Sequence, residues 1–176
     1  MRRGGVIIYP TDTVWGIGCD ATNAEAVKKI YQIKRRPEAK AMILLFDSVA
    51  RVERYVNNVP DVAYDMMELS NKPLTLILDG AKNVASNIIP PEGTIAVRVS
   101  NEEYSSSLVR MLQKPIVSTS ANVSGEPTAT FFGEITQDIL NAVDYVAEYR
   151  RDDMQKHKPS SIIRLSKSGV LKIIRE

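Results

Sequence analysis

The chain has one cysteine, Cys19, and one histidine, His157, in 176 residues, so it cannot close an internal disulfide or build a Cys/His metal cluster alone. A lone histidine also rules out a Ser/His/Asp triad argued from sequence; His157 lies among lysines and reads as a surface or loop residue. Cys19 reads as a small buried apolar residue, with a reactive thiol as the other reading. Long apolar runs are absent. Ala41 to Phe46 is typical, far short of a membrane span, and no signal-peptide-like stretch follows Met1 to Gly5, so a cytoplasmic protein is expected. Charge of one sign is lacking too: 23 Lys+Arg stand against 21 Asp+Glu, a balance that gives no global field of the kind used by nonspecific nucleic-acid binders. Any RNA contact must then be local, at Lys28 to Lys40 or at Arg150, Arg151, Lys156 and Lys158, either of which also reads as a solvated face.

What remains is ordinary globular material. A hydrophobic content of 44% over this length suits one domain with a real core. Strand-like runs lie near 6–9, 41–46, 74–79, 95–99, 116–119, 145–147, 161–165 and 170–174. Amphipathic helical patterns cover 23–34, 49–56, 61–69, 102–112 and 134–142, with Asn23 as an N-cap. Alternation of the two predicts helices covering a sheet. The last two strands are separated only by Ser166 to Gly169, an antiparallel hairpin connection, so the sheet is expected to be mixed. The 83–93 stretch, with Pro90 and Pro91, reads as a loop.

Two polar segments interrupt this pattern. Ser118 to Thr128 crowds hydroxyls, an amide and a glycine directly behind the apolar run at Ile116, and Pro10 to Gly18 does the same behind Val6 to Tyr9. Short donors on a turning backbone suit phosphate or carboxylate oxygens, although such residues also satisfy their own turns. Two such loops leaving one sheet imply a shared crevice. A cationic cluster, Lys34, Arg35, Arg36 and Lys40 around Pro37, closes the first helix and could grip a polyphosphate or simply complement a helix dipole. Trp15 reads as packing under the first loop or stacking on a base.

Six stretches in order, 9–20 (YPTDTVWGIGCD), 34–40 (KRRPEAK), 73–78 (PLTLIL), 94–98 (TIAVR), 118–127 (STSANVSGEP) and 159–163 (PSSII), resemble the YrdC-like family of threonylcarbamoyl-AMP synthases. The chain departs from that family in three places. It starts just ahead of Val6, where a front helix is usual; it reads Ser70-Asn71-Lys72 before Pro73, where a Pro-Gly-Pro turn is common; and it has Ser161, where threonine is common.

The resemblance implies an α+β, three-layer α/β/α fold, YrdC/RibB-like, with a twisted mixed sheet, helices on both faces and residues 1–176 as a single domain. It implies a nucleotidyltransferase that condenses L-threonine, bicarbonate or CO2, and ATP, with Mg2+ bound to the ATP, no full protein ligand set assigned to the metal, and Asp12 as the one acid of the first loop considered near it. The product would serve threonylcarbamoyladenosine modification of tRNA through a separate downstream transferase. Lys34 and Arg36 are the implied catalytic cations. Thr11, Arg98, Ser118 and Ser160 are the implied threonine contacts; Lys34, Arg36, Lys40, Thr94, Ser120, Asn122, Thr128 and Arg175 are the implied ATP contacts. Arg98, an arginine near the end of an apolar strand, must otherwise be a structural ion pair. Two other readings stay open: an RNA-binding module, and a carbamoyl-adenylate domain of a maturation system.

Overall fold

The structure, a computed structural model, describes residues 1–37 and 42–176. In chain order it comprises β1 (Ile7–Tyr9), β2 (Gly16–Gly18), α1 (Ala24–Ile33), β3 (Ile43–Phe46), α2 (Asp61–Leu69), β4 (Leu74–Asp79), β5 (Thr94–Val99), α3 (Glu103–Leu112), β6 (Ile116–Ser120), α4 (Gln137–Asn141), β7 (Tyr145–Val146), β8 (Ser161–Leu165) and β9 (Leu171–Arg175). The described strands form one sheet of order β7-β1-β2-β6-β3-β5-β4-β8-β9. β1/β7, β3/β5 and β4/β8 are parallel and the other neighbours antiparallel, so this is the mixed α+β sheet that the sequence pattern predicts. The β8/β9 hairpin turns where Gly169 adopts φ 83°.

Consecutive residues of the central strands are buried, Leu44 to Phe46 in β3 and Thr94 to Arg98 in β5, which requires cover on both faces of the sheet. Asn23 caps α1 by accepting from the Ala26 N–H at 3.1 Å, and Glu102 caps α3 through the N–H groups of Tyr104 and Ser105.

The sequence pattern differs from the structure in four elements. Gly16–Gly18 is a strand, not loop: it pairs with both β1 and β6 and joins the two halves of the sheet. Its three residues hold one large apolar side chain, too little for an alternation signal. Gly18 is there because a Cβ would lie 2.0 Å from the Val117 carbonyl oxygen. Residues 49–54 form a 3₁₀ helix rather than an α-helix, and the helix expected over 134–142 shrinks to α4 behind a 3₁₀ turn at Phe132–Glu134. The 83–93 loop includes a 3₁₀ turn at Ser86–Ile88.

Register then decides which side chains meet. Gly16 lies opposite Ser120, Ile43 opposite both Ser118 and Ala96, and Leu45 opposite Arg98. Directly opposed residues share a face, and so do residues two apart on a strand. One face therefore carries Gly16, Ser120, Ser118, Ile43 and Arg98, and continues across β4 to Ile162 and Arg175.

Candidate functional site

That face floors a cavity of about 250 Å³ whose lining includes Thr11, Thr13, Gly16, Arg36, Arg98, Ser118, Ser120, Thr128, Ser160 and Arg175. Both polar loops reach it, so the shared crevice inferred from the sequence exists.

Arg98 is 4% exposed, and its guanidinium is only partly used. Nη1 donates to Thr13 Oγ1 at 3.0 Å, Nη2 stands 3.4 Å from Asp12 Oδ1, and Nε is buried with no partner among the described residues. Burial raises the Asp12 carboxyl above the usual range, with Arg98 acting in the opposite direction. Thr11 Oγ1 donates to the Val14 carbonyl at 2.8 Å and accepts from the Thr13 N–H at 3.0 Å, so this loop ties its own turn while presenting hydroxyls to the cavity. Ser160 Oγ meets Thr75 Oγ1 at 2.8 Å, and the Arg175 guanidinium donates twice to the Ser160 carbonyl. Burial followed by the charge of Arg98 lowers the Arg175 pKa.

The basic cluster is divided by the way α1 ends. The Arg36 N–H reaches back to the Tyr31 carbonyl and Arg35 takes φ 48°, a left-handed stop at a non-glycine residue. Arg35 is left exposed, Arg36 turns to the cavity, and Lys34 points inward at 1% exposure. The Lys34 ammonium donates to the Ser120 carbonyl and, at 2.6 Å, to the Asn122 carbonyl, while its own carbonyl accepts from the Ser124 N–H. Burial, then Arg36, pushes its pKa down to about 8. Lys34 is therefore joined to the backbone of the 118–128 loop and is not among the lining residues.

Two other expected contacts lie away from the lining. Thr94 begins β5 opposite Asp79, and Asn122 spends its amide N–H groups on the carbonyls of Val123 and Glu126. Lys40 falls outside the described residues. Trp15 packs against Phe132 at 5.0 Å between ring centroids, and burial pushes the Cys19 thiol up to about 12, so both behave as core. Arg151 donates to the Ala147 and Val146 carbonyls and lies over the Phe132 ring; Arg150 pairs with Asp153 at 2.6 Å and contacts His157. Arg150 and Arg151 are thus consumed in holding their own loop, whereas Lys156 and Lys158 are exposed.

Sequence reasoning left Thr13 between capping its own turn and touching substrate, and it missed Gly16 and the Asp12 partner of Arg98. The spacing between 12 and 98 carries no local signal; only strand register joins them. Gly16 leaves room beside the hydroxyls, since a Cβ there would sit 3.2 Å from Ser118 Oγ and 3.3 Å from Thr11 Cγ2. Gly16→Ala is expected to raise KM for the small substrate about tenfold, a loss of ~1.4 kcal/mol, with little change in Tm; steady-state kinetics with thermal unfolding checks both.

A mixed α+β sheet whose one face gathers the buried Arg98, the half-buried Arg36, the exposed Arg175 and several hydroxyls around a small cavity has the chemistry that suits carboxylates and phosphates. The chain belongs to the Sua5/YciO/YrdC family, whose model, described as "Telomere recombination", matches residues 1–176. It is 34% identical over 151 residues, 84% of this chain and 81% of the relative, to the threonylcarbamoyl-AMP synthase of Pseudoalteromonas translucida. Among solved structures it resembles E. coli YciO with TM-score 0.85 at 28% identity, over 99% of this chain and 84% of that one. It also resembles P. abyssi Sua5 complexed with L-threonine, with TM-score 0.83 at 28% identity, over 93% of this chain and 48% of that one. The chain thus spans about half the length of that Sua5.

Among the described residues no helix is long and apolar enough to cross a membrane, and no group of three or more His, Cys, Asp or Glu could hold a metal ion.

Proposed function

We propose that this chain is a cytoplasmic threonylcarbamoyl-AMP synthase that condenses L-threonine, bicarbonate or CO2, and ATP into threonylcarbamoyl-AMP and pyrophosphate, supplying a separate transferase that modifies tRNA. The observation that carries the reading is a buried, half-used guanidinium at Arg98 in a cavity that also holds Arg36 and Arg175. A fork whose Nε has no partner among the described residues suits the α-carboxylate of an amino acid, and the separate cations suit phosphates.

In this reading Arg98 holds the threonine carboxylate, with Thr11, Ser118 and Ser160 around the rest of the amino acid. The threonine amine attacks the one-carbon unit to form a carbamate, losing a proton when that unit is CO2 and releasing water when it is bicarbonate. A carbamate oxygen then attacks the α-phosphorus, and the bond from that phosphorus to the pyrophosphate oxygen breaks. Such a reaction asks for placement and charge neutralisation more than for covalent help. Arg36, Arg175, Ser120 and Thr128 face the nucleotide, Lys40 is a weaker helper for the phosphates, and Lys34 and Asn122 act by fixing the 118–128 loop. Mg2+ accompanying ATP would offset the charge of the phosphates, and no ligand set among the described residues is assigned to it.

The test is direct. Protein with ATP, Mg2+, L-threonine and labelled bicarbonate is expected to release pyrophosphate and carry the label into an adenylate. ATP binding without either product would overturn the proposal. Product from carbamoyl phosphate in place of threonine and bicarbonate would favour the carbamoyl-adenylate alternative. The RNA-binding alternative predicts salt-sensitive tRNA retention lost on neutralising Lys34 and Arg36; tRNA retained at physiological salt by protein that binds neither ATP nor threonine would favour it.

A further inference from the structure

We infer that Asp12 is a displaceable counter-ion that occupies the substrate-carboxylate seat of Arg98 in the empty protein and must leave it when the amino acid binds; this rests on the synthase reading above. Nε and Nη2 share one edge of a guanidinium fork, and a carboxylate docks there through two parallel hydrogen bonds. In this structure Asp12 Oδ1 stands at Nη2 of that edge and leaves Nε unmet. The contact, at 3.4 Å, is longer than the roughly 2.7–2.9 Å of a well-made charged hydrogen bond, and Oδ1 makes no hydrogen bond of its own. Asp12 neutralises a charge that would otherwise be buried alone, but does so with half the geometry that a free carboxylate can offer.

There is also somewhere for it to go. Asp12 borders a second cavity, about 770 Å³, that shares Pro159 and Arg175 with the first and is rimmed by Lys72, His157 and Lys158, with Glu176 as its other acid. Arg98 belongs to the lining of the first cavity and Asp12 to that of the second, so the ion pair lies across their common wall. An incoming carboxylate that takes both Nε and Nη2 removes the reason for Asp12 to face Arg98, and the cations beyond receive it. The charged groups acting on Asp12 are Arg98, Glu102 and His157 by field, and Lys72, Lys158, Arg175 and Glu176 around the second cavity. Leaving the buried seat relieves the desolvation that raises its pKa, and Lys72, Lys158 and Arg175 replace the field of Arg98, so threonine binding releases a proton at acidic pH.

The experiment is calorimetric titration of L-threonine into the wild type, Asp12→Asn and Asp12→Ser, with thermal unfolding of each. Both variants are expected to lose Tm without ligand, to bind threonine roughly tenfold tighter because the seat is no longer shared, and to gain more Tm on binding. Proton release, read from two buffers of different ionisation enthalpy, should accompany threonine binding in the wild type at acidic pH and vanish in the variants. Unchanged or weaker binding in folded variants overturns the inference, as does a wild type that binds threonine without releasing a proton. Failure of every protein to bind threonine removes the synthase reading itself, and this inference with it.

Discussion

Arg98→Met should reduce affinity for L-threonine by roughly a hundredfold to a thousandfold, about 3–4 kcal/mol, and lower kcat/KM by at least as much. Methionine keeps the apolar stem in its buried strand position and deletes the fork. The same change strands Asp12 at the cavity wall with its principal counter-charge gone, so Tm should fall as well. The double variant Asp12→Asn/Arg98→Met separates the two effects. Stability should largely return, because no unpaired carboxylate is left; threonine binding should not. Return of binding in the double variant would mean that Arg98 is a structural ion pair and nothing more. Calorimetry for affinity and thermal unfolding for stability read the two outcomes independently.

Lys34→Met is the second large effect, and its origin is different. The ammonium meets the Ser120 and Asn122 carbonyls from a side chain that is 1% exposed, so methionine leaves two acceptors without their donor. That loss should be about 3 kcal/mol, or roughly 6–12 °C in Tm for a chain of this size. With the loop released, Ser120 and Thr128 lose their setting, and ATP affinity falls together with stability. A phosphate contact made by Lys34 itself would lower ATP affinity with little change in Tm.

The pH dependence of the same variant follows from the lowered Lys34 pKa. The unfolded chain keeps this proton up to the ordinary lysine value of 10.5, whereas the folded chain gives it up near 8, because burial and then Arg36 disfavour the charged form. Between those values the unfolded state binds more protons, so this group's contribution to stability grows as pH rises and is lost as pH falls through 8. The stability gap between wild type and Lys34→Met should therefore widen from pH 7.5 to pH 10. Denaturant titrations at the two ends check it, and a narrowing gap would contradict the inward, desolvated placement of Lys34.

Much of this architecture is legible in the residues. Asn23 announces the start of α1, the spacing around Ser166 to Gly169 announces a hairpin, and the hydroxyl-rich stretches behind Tyr9 and Ile116 announce a common crevice because each follows a buried strand. These signals are local, and the chain obeys them. β2 is invisible for a physical reason: with glycines at both ends, it has almost no side-chain pattern, and what makes it a strand is the backbone of β1 on one side and β6 on the other. Lys34 illustrates a second limit. Composition marks it as one of a run of cations, yet the left-handed turn at Arg35 sends Lys34 and Arg36 to different tasks. Arg98 was legible as a charge needing a partner; that the partner is Asp12 depends on tertiary neighbours 86 residues away in the chain, counting from 98 back to 12. Thr94 shares a strand face with Arg98, but it sits at the far end of β5, so a shared motif does not make it part of the same lining.

The central claim is that one cavity on one sheet face holds an amino-acid carboxylate at Arg98 beside nucleotide phosphates at Arg36. A crystal structure of the protein with L-threonine and a non-hydrolysable ATP analogue measures this most directly. The account predicts the carboxylate bidentate on Nε and Nη2 of Arg98, Asp12 withdrawn toward Lys158, and phosphate oxygens on Arg36 in the same cavity. Threonine bound elsewhere, or nucleotide occupying a different part of the surface from Arg36 and Ser120, would contradict it.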